Sequence, residues 1–446
     1  MFDSIKDHVP RRDFLKAALA IGGAQALAAC TELEVSGADE SPRFPRGPED
    51  PDVLSERQHF WDEDLLVNMA GNTVMPQHQL LIFLDYRGAF PPSESDRETV
   101  ETALRTIERA YQRGTGGDVG AQINEGLLFM IAYSRTYFDQ FDEPFPEEIG
   151  LQRPEAVLEA VGEDPSKADH YDAVMLLNGD FASMLLEVEQ ALFGEGETVN
   201  GLPVEARLSD VFERVERRTG FIGPGVPREE IADPVADRID ENAPLSMGFE
   251  SGFRDNLPDN DRVAFHEEPF KDGTTFLVSR LGIDLERWYD NTHEDRIELM
   301  FSTEHSEAEV GQVGERLGAD SGITEEIVDS RHERAAEHGR IGHSTKTATA
   351  RDDSFEPTIH RRSEAVATDL IREGVVGFNF SSIQADTQRF VEVREAMNVD
   401  AHDVDVPDEE HGIIDYLETL NRATFLVPPR SQRALPSPQP EVDAVE

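Results

Sequence analysis

The sequence predicts an α+β chain of two like halves, each an antiparallel sheet with helices packed outside. Three observations predict it. Short apolar runs alternate with longer segments of helical period. Their order is the same on either side of a Gly-, Pro- and acid-rich stretch near 225–245. Once a leader and linker are set aside, roughly 400 residues remain, enough for two ordinary domains or one duplicated domain.

In the first half, residues 79–86 (QLLIFLDY) form an apolar run too short for a helix and are predicted to be a buried strand. Residues 97–113 carry helical spacing through Val100, Leu104, Ile107 and Ala110, with Ser95 or Asp96 as the cap and Gly114 as the stop. Residues 126–133 (GLLFMIAY) and 172–178 (DAVMLLN) are predicted strands; a helix over 181–193 and a strand over 209–218 follow. Strand, helix, strand, strand, helix, strand is the ferredoxin-like order. The second half repeats it with a strand at 273–280, a helix beginning at 285–290, a strand at 374–380, a helix at 387–398 and a closing strand at 423–427 stopped by Pro428 and Pro429. The expected architecture is thus a tandem of ferredoxin-like domains, dimeric α+β barrel-like, over 61–235 and 236–430. Residues 31–60 are acidic and rich in Pro and Gly and are expected to be a tether. The tail at 431–446, with Pro436, Pro438 and Pro440, is expected to be disordered.

The first thirty residues form an address. Arg11-Arg12-Asp13-Phe14-Leu15-Lys16 is a twin-arginine motif, followed by an apolar Ala/Gly-rich run and Leu27-Ala28-Ala29-Cys30. The run falls short of the roughly 20 residues of a spanning helix. A basic start, a short apolar core and a small-residue cleavage site read as a removable signal. Cys30, the only cysteine, is the expected lipid attachment point, placing the chain on the outer face of the cell membrane. A lone cysteine also excludes intramolecular disulfides, thiolate zinc sites and cysteine-held iron–sulfur clusters.

The 446 residues carry a formal charge of −50. The acids are spread along the chain, and only five lysines occur. Such a field repels phosphates, so nucleic acid is excluded as a partner. It suits a halophile's surface, which should lose its fold or cofactor as salt falls well below molar levels. Trp288 is expected in the core. His266, Glu267, Glu268, His332 and His338 lack the spacing of a metal site, and Arg113 to Gly117 lacks the context of a phosphate loop.

A haem iron in a chain without spare cysteine takes histidine, and the candidates are His305, His332, His338, His343 and His360. An arginine on the opposite face of the iron can stabilise charge on bound peroxide. Eighteen residues separate His343, in Gly342-His343-Ser344-Thr345, from Arg361, in Ile359-His360-Arg361-Arg362-Ser363. Residues 273–280 (GTTFLVSR) with Asp284, Leu285 and Trp288 precede that pair; residues 374–380, Phe390-Val391 and 425–429 (FLVPP) follow it. This ordered set resembles the dye-decolorising peroxidase family over roughly 236–430, and by topology alone over 75–235.

The resemblance implies two ferredoxin-like halves with haem b in the second. It implies His343 as the iron ligand and Arg361 as the distal arginine. The family's Gly-x-x-Asp-Gly motif, whose aspartate acts in peroxide cleavage, aligns with Gly248-Phe249-Glu250-Ser251-Gly252, so Ser251 stands at the acid position. A second frame, Gly252 to Asn256, keeps an acid as Asp255 but loses the final glycine. Asp386 is a candidate to hydrogen-bond the free nitrogen of His343. The implied reaction is reduction of hydrogen peroxide with oxidation of a small-molecule donor. The alternatives are a haem-handling protein with little turnover, favoured by the missing aspartate, and a cofactor-free binding lipoprotein. Self-association is left open.

Overall fold

The computed structural model describes residues 42–114, 123–231, 234–364, 370 and 374–440, apart from Phe60 and Phe253. The leader with Cys30, part of the Arg113–Gly117 segment and residues 441–446 lie outside the described residues.

The first half contains β1 (His78–Tyr86), α1 (Glu94–Ala110), β2 (Leu128–Ser134), β3 (Ala173–Gly179), α2 (Ala182–Phe193) and β4 (Phe212–Phe221). The second contains β5 (Thr274–Ile283), β6 (His360–Glu364), β7 (Gly377–Gln384) and β8 (Leu417–Val427). All eight strands join one antiparallel sheet in the order β6-β7-β5-β8-β2-β3-β1-β4. Within each half the spatial order is second, third, first, fourth, the ferredoxin-like arrangement, so the duplication is visible in the topology. The halves meet where β8 pairs with β2, Phe425 opposite Ser134 and Leu426 opposite Tyr133.

Residues Leu80 to Leu84 of β1 are apolar without a break because both faces of the strand are buried there. Leu80, Ile82 and Leu84 face the helices α1 and α2, while Leu81 and Phe83 face a second layer containing Trp61, Met130 and Leu176. α1 forms because Val100, Leu104 and Ile107 recur on one face. Its cap is Ser93, whose side chain accepts the Asp96 N–H, not Ser95 or Asp96, and its C-cap is Tyr111, ahead of Gly114. Ser93 precedes two acids in the first turn, where the helix dipole favours negative charge.

Two expectations about the chain's ends are corrected. From residue 42 onward the expected tether is packed: Asn200 Oδ1 accepts the Arg43 N–H at 2.7 Å, and Gln58 is buried between Ile131 and Pro428. The expected disordered tail is ordered through 440. Arg433 is buried against Glu101 and Glu108, Leu435 is fully buried, and Tyr133 Oη donates to the Arg433 carbonyl at 2.7 Å. Prolines forbid a helix there but leave the side chains free to dock. Among the described residues no helix is long and apolar enough to cross a membrane.

The second half departs from the first in its crossovers. Residues 284–359 link β5 to β6 and include α3 (Leu285–Asp290), α4 (His293–Met300) and α5 (His343–Ala348). α6 (Thr387–Glu395) links β7 to β8. Trp288 is fully buried, its Nε1–H donating to the Met247 carbonyl at 2.9 Å.

Candidate functional site

His343 opens α5 directly after Gly342. The polar residues that follow it are anchors. The Ser344 and Thr345 hydroxyls donate to the carbonyls of Met300 and Phe301 at 2.9 and 3.0 Å, docking α5 on the end of α4. Lys346, fully buried, donates to the carbonyls of Met397 and His411, both at 2.6 Å. These bonds fix the backbone that carries His343, whose Nδ1 is buried with no hydrogen-bond partner. Burial, then the charges of Arg361, Lys346 and Arg394, depress its pKa to about 3, so the ring is neutral and a lone pair is available.

Arg361 stands on β6, opposite Ser382 of β7. Strand alternation turns Arg361 and Ser363 to one side and His360 and Arg362 to the other. Arg361 and His343 both line a cavity of about 510 Å³, together with Leu281, Phe378, Phe380 and Phe390. They also both line an adjoining cavity of about 160 Å³. No described residue pairs with the Arg361 guanidinium, and burial with the nearby Arg351 charge lowers its pKa. Uncompensated positive charge beside an apolar cavity is ready to meet an anion.

Of the histidine candidates, His343 alone lines either cavity. His305 bonds Ser302 Oγ at 2.7 Å, His332 and His338 are exposed, and His360 points away, its Nε2 3.6 Å from Asp62 Oδ1. The two motif frames separate clearly. Ser251 lines the smaller cavity and accepts from Asn256 Nδ2 at 3.3 Å. Gly248 has φ +98°, and a Cβ at Gly252 would overlap the Gly318–Ala319 backbone, so both glycines of the first frame are required. Asp255 is corrected as a site residue: it is exposed, pairs with Arg254 and lines neither cavity. Asp386 is corrected too. It caps α6, accepting the Arg389 N–H at 3.1 Å, and does not reach His343 Nδ1. An acid directly before a helix is spent on the helix.

Sequence reasoning missed four residues. Arg394 of α6 and Arg422 of β8 line the larger cavity and share Glu163, at 2.8 and 2.7 Å. Burial pulls the Arg422 pKa down to about 10, with Glu163 opposing the shift. Glu250 lines the smaller cavity beside Ser251, and burial alone raises its carboxyl pKa to about 7. Only the short carboxyl-plus-glycine motif around it could have drawn attention to Glu250. Nothing in the local sequence marks the other three.

Comparison with known proteins gives a fold likeness and a family. None of the curated proteins matches the chain. A dye-decolorizing protein from V. cholerae is 13% identical, with TM-score 0.49 over 83% of this chain and 97% of that one. A DypB variant from Rhodococcus jostii in complex with heme is 15% identical, with TM-score 0.49 over 81% and 96%. A dye-decolorizing peroxidase from Bacteroides thetaiotaomicron is 13% identical, with TM-score 0.49 over 83% and 97%. These likenesses are too distant to assign an activity. The family of unknown function DUF7405 matches residues 76–429, most of the chain and all of the eight-stranded sheet, so the chain belongs to that family.

Proposed function

We propose that this chain is a haem-dependent peroxidase of the dye-decolorising type, exported by the twin-arginine route and anchored by lipid at Cys30. The observation that carries the reading is the placement of His343 and Arg361 on the walls of the same two adjoining cavities, between apolar faces. A volume of about 510 Å³ lies within the range of cofactor sites, roughly 300–1,000 Å³. His343 offers a neutral imidazole with an unpartnered buried nitrogen. Among the described residues no three His, Cys, Asp or Glu side chains are grouped to hold a metal ion, so a metal on His343 must arrive with its other ligands, as iron in a porphyrin does.

In this reading His343 holds the iron, and Phe378, Phe380 and Leu281 exclude water from its surroundings. When bound, haem would supply the two electrons that hydrogen peroxide takes up, to be restored by an organic donor. Arg361 stabilises negative charge developing on the peroxide oxygens, a contribution worth about 10²–10³ in rate for one well-placed donor. Arg394 and Arg422 orient whatever carboxylates the cofactor presents to the larger cavity.

The test is a visible absorption spectrum of the full chain in molar salt, titrated with haemin beside His343→Ala. One equivalent of haemin giving a Soret band that the variant loses supports the reading. Absence of a band in both supports a cofactor-free binding lipoprotein instead. A second reading, haem handling with little turnover, is favoured by Ser251 at the acid position and by Asp255 facing solvent. Haem uptake with slow donor oxidation would select it.

A further inference from the structure

We propose that Glu250, not the residue at the motif's acid position, is the proton-transfer group of this site. The proposal rests on the peroxidase reading above. Glu250 lines the smaller cavity together with Ser251, His343 and Arg361. Its backbone is fixed: its N–H donates to the Val313 carbonyl at 2.9 Å. On one side Phe249 packs against Phe301 and His293, with ring centroids 5.8 and 5.5 Å away; on the other Ser251 is held by Asn256. The side chain therefore leaves a backbone segment anchored at Glu250 itself and on both sides, as a positioned acid must.

Its carboxyl also lacks a partner where comparable glutamates have one. Glu108 holds Arg430 and Arg433, Glu163 holds Arg394 and Arg422, and Glu189 holds Arg214 and Arg217. These three glutamates are neutralised by arginine, and Asp172 and Asp180 are each met by two N–H donors, as burial requires. No described residue hydrogen-bonds or ion-pairs with the Glu250 carboxyl, and burial is the sole cause of its shift. The titratable and charged groups on the surrounding elements are His293, beside Phe249; Glu315, which is taken up by the N–H groups of Gln312 and Val313; and His343, Arg361 and Arg362 on the cavity walls. A carboxyl that titrates near neutrality and carries no structural bond is suited to taking up and returning a proton.

The step is a proton transfer within bound hydrogen peroxide. The Glu250 carboxylate takes the proton from one peroxide oxygen and returns it to the other. As the O–O bond breaks the doubly protonated oxygen leaves as water; bound haem would supply the two electrons that this cleavage demands, and the organic donor would restore them while two further protons complete the second water. The whole is hydrogen peroxide plus two electrons and two protons giving two waters.

The test uses the full chain loaded with haemin in molar salt. Uptake is read from the Soret band. The reaction with hydrogen peroxide is then followed by stopped flow between about pH 5 and pH 9, spanning the range in which a neutral-poised acid titrates. The wild-type rate is expected to rise with pH and level off above about 7, as Glu250 ionises. Glu250→Gln should take up haemin normally, react about 10²-fold slower or worse, and lose the pH rise. Glu250→Asp should keep the rise at reduced rate, and Ser251→Asp should restore turnover in the Glu250→Gln background. In apoprotein at about pH 6, an infrared protonated-carboxyl band present in wild type and missing in Glu250→Gln gives a readout independent of turnover. Equal rates and pH profiles in wild type and Glu250→Gln would overturn the proposal. So would a large rate gain from Ser251→Asp alone. Wild type that takes up no haemin overturns the peroxidase reading itself, and that failure is seen before any variant is compared.

Discussion

The two halves share a strand order and differ in what fills the space between sheet and helices. In the first half the helix-facing residues of β2 are Phe129, Ile131 and Tyr133, packed with Tyr137, Met175 and Leu177. In the second half the corresponding strand is β6, and Arg361 and Ser363 face the cavity. The first half is closed by aromatics and by the docked C-terminal segment. The second is propped open by short crossover helices that carry His343 and by arginines braced on Glu163. A duplicated fold has thus kept one copy as a scaffold and turned the other into a site. The difference lies in the crossovers and in a few side chains on equivalent strands, not in the strand order.

The largest expected effect tests the closed half. Glu108 holds Arg430 and Arg433 at 2.8 and 2.5 Å, all three buried, and the two arginines keep its carboxyl pKa below the usual value although burial opposes them. Glu108→Gln leaves two buried cations short of a partner and should cost about 3–5 kcal/mol, measured by urea unfolding in molar salt. The next comparison sets Leu177, fully buried, against Phe378, which faces the cavity. Leu177→Ala should cost about 2–5 kcal/mol, and Phe378→Ala under about 1 kcal/mol, because one deletes packed atoms and the other enlarges an existing space. Equal losses would mean that the second half is as tightly filled as the first.

The contrast between the halves also explains what the sequence could and could not reveal. β1 was legible because its centre, buried on both faces, is an unbroken apolar run from Leu80 to Leu84, and α1 because its apolar residues recur at helical spacing. β6 was illegible as a strand. Its residues, HRRSE, show no alternation because one face meets a cavity and the other meets Asp62 and Trp61. The tail's prolines suggested disorder, while the ion pairs that dock it run to a helix more than three hundred residues earlier in the chain. Asp386 was placed by residue type and Asp255 by the second motif frame, and their actual partners are a helix N-terminus and a neighbouring arginine. His343 and Arg361 were found through the spacing of a resemblance. Glu250, Arg394 and Arg422 reach the cavities only through tertiary folding.

A subtler test addresses the open half. Arg361 has no described carboxylate partner, so it should be held at some cost to stability. Arg361→Leu is expected to raise the stability of the apoprotein by about 0.5–2 kcal/mol, as removal of strained functional groups often does. It should lower the peroxide reaction of haemin-loaded protein by about 10²–10³-fold. A loss of apoprotein stability would show that the guanidinium has a structural partner and would weaken the contrast with the apolar face of β2.

The smallest effects are pH slopes of opposite sign. In the first half, Asp172 accepts from the Tyr86 N–H and Gln140, both at 2.9 Å, yet burial raises its pKa from 3.8 to about 6. The folded state holds that proton more tightly than the unfolded chain, so stability should fall as pH rises from about 4 to about 6. Glu250 extends the same fall toward about 7. In the second half, burial lowers Lys346 from 10.5 to about 7, with Arg394 adding to it. There the unfolded chain binds the proton more tightly, so stability should rise as pH climbs from about 7 to about 10.5. Urea midpoints against pH in molar salt should therefore pass through a minimum near neutrality. Asp172→Asn should make only the acid limb shallower, leaving the share of Glu250, and Lys346→Met should flatten only the alkaline limb. If either variant flattened both limbs, the two halves would not titrate independently, and the division between a closed scaffold and an open site would have to be drawn less sharply.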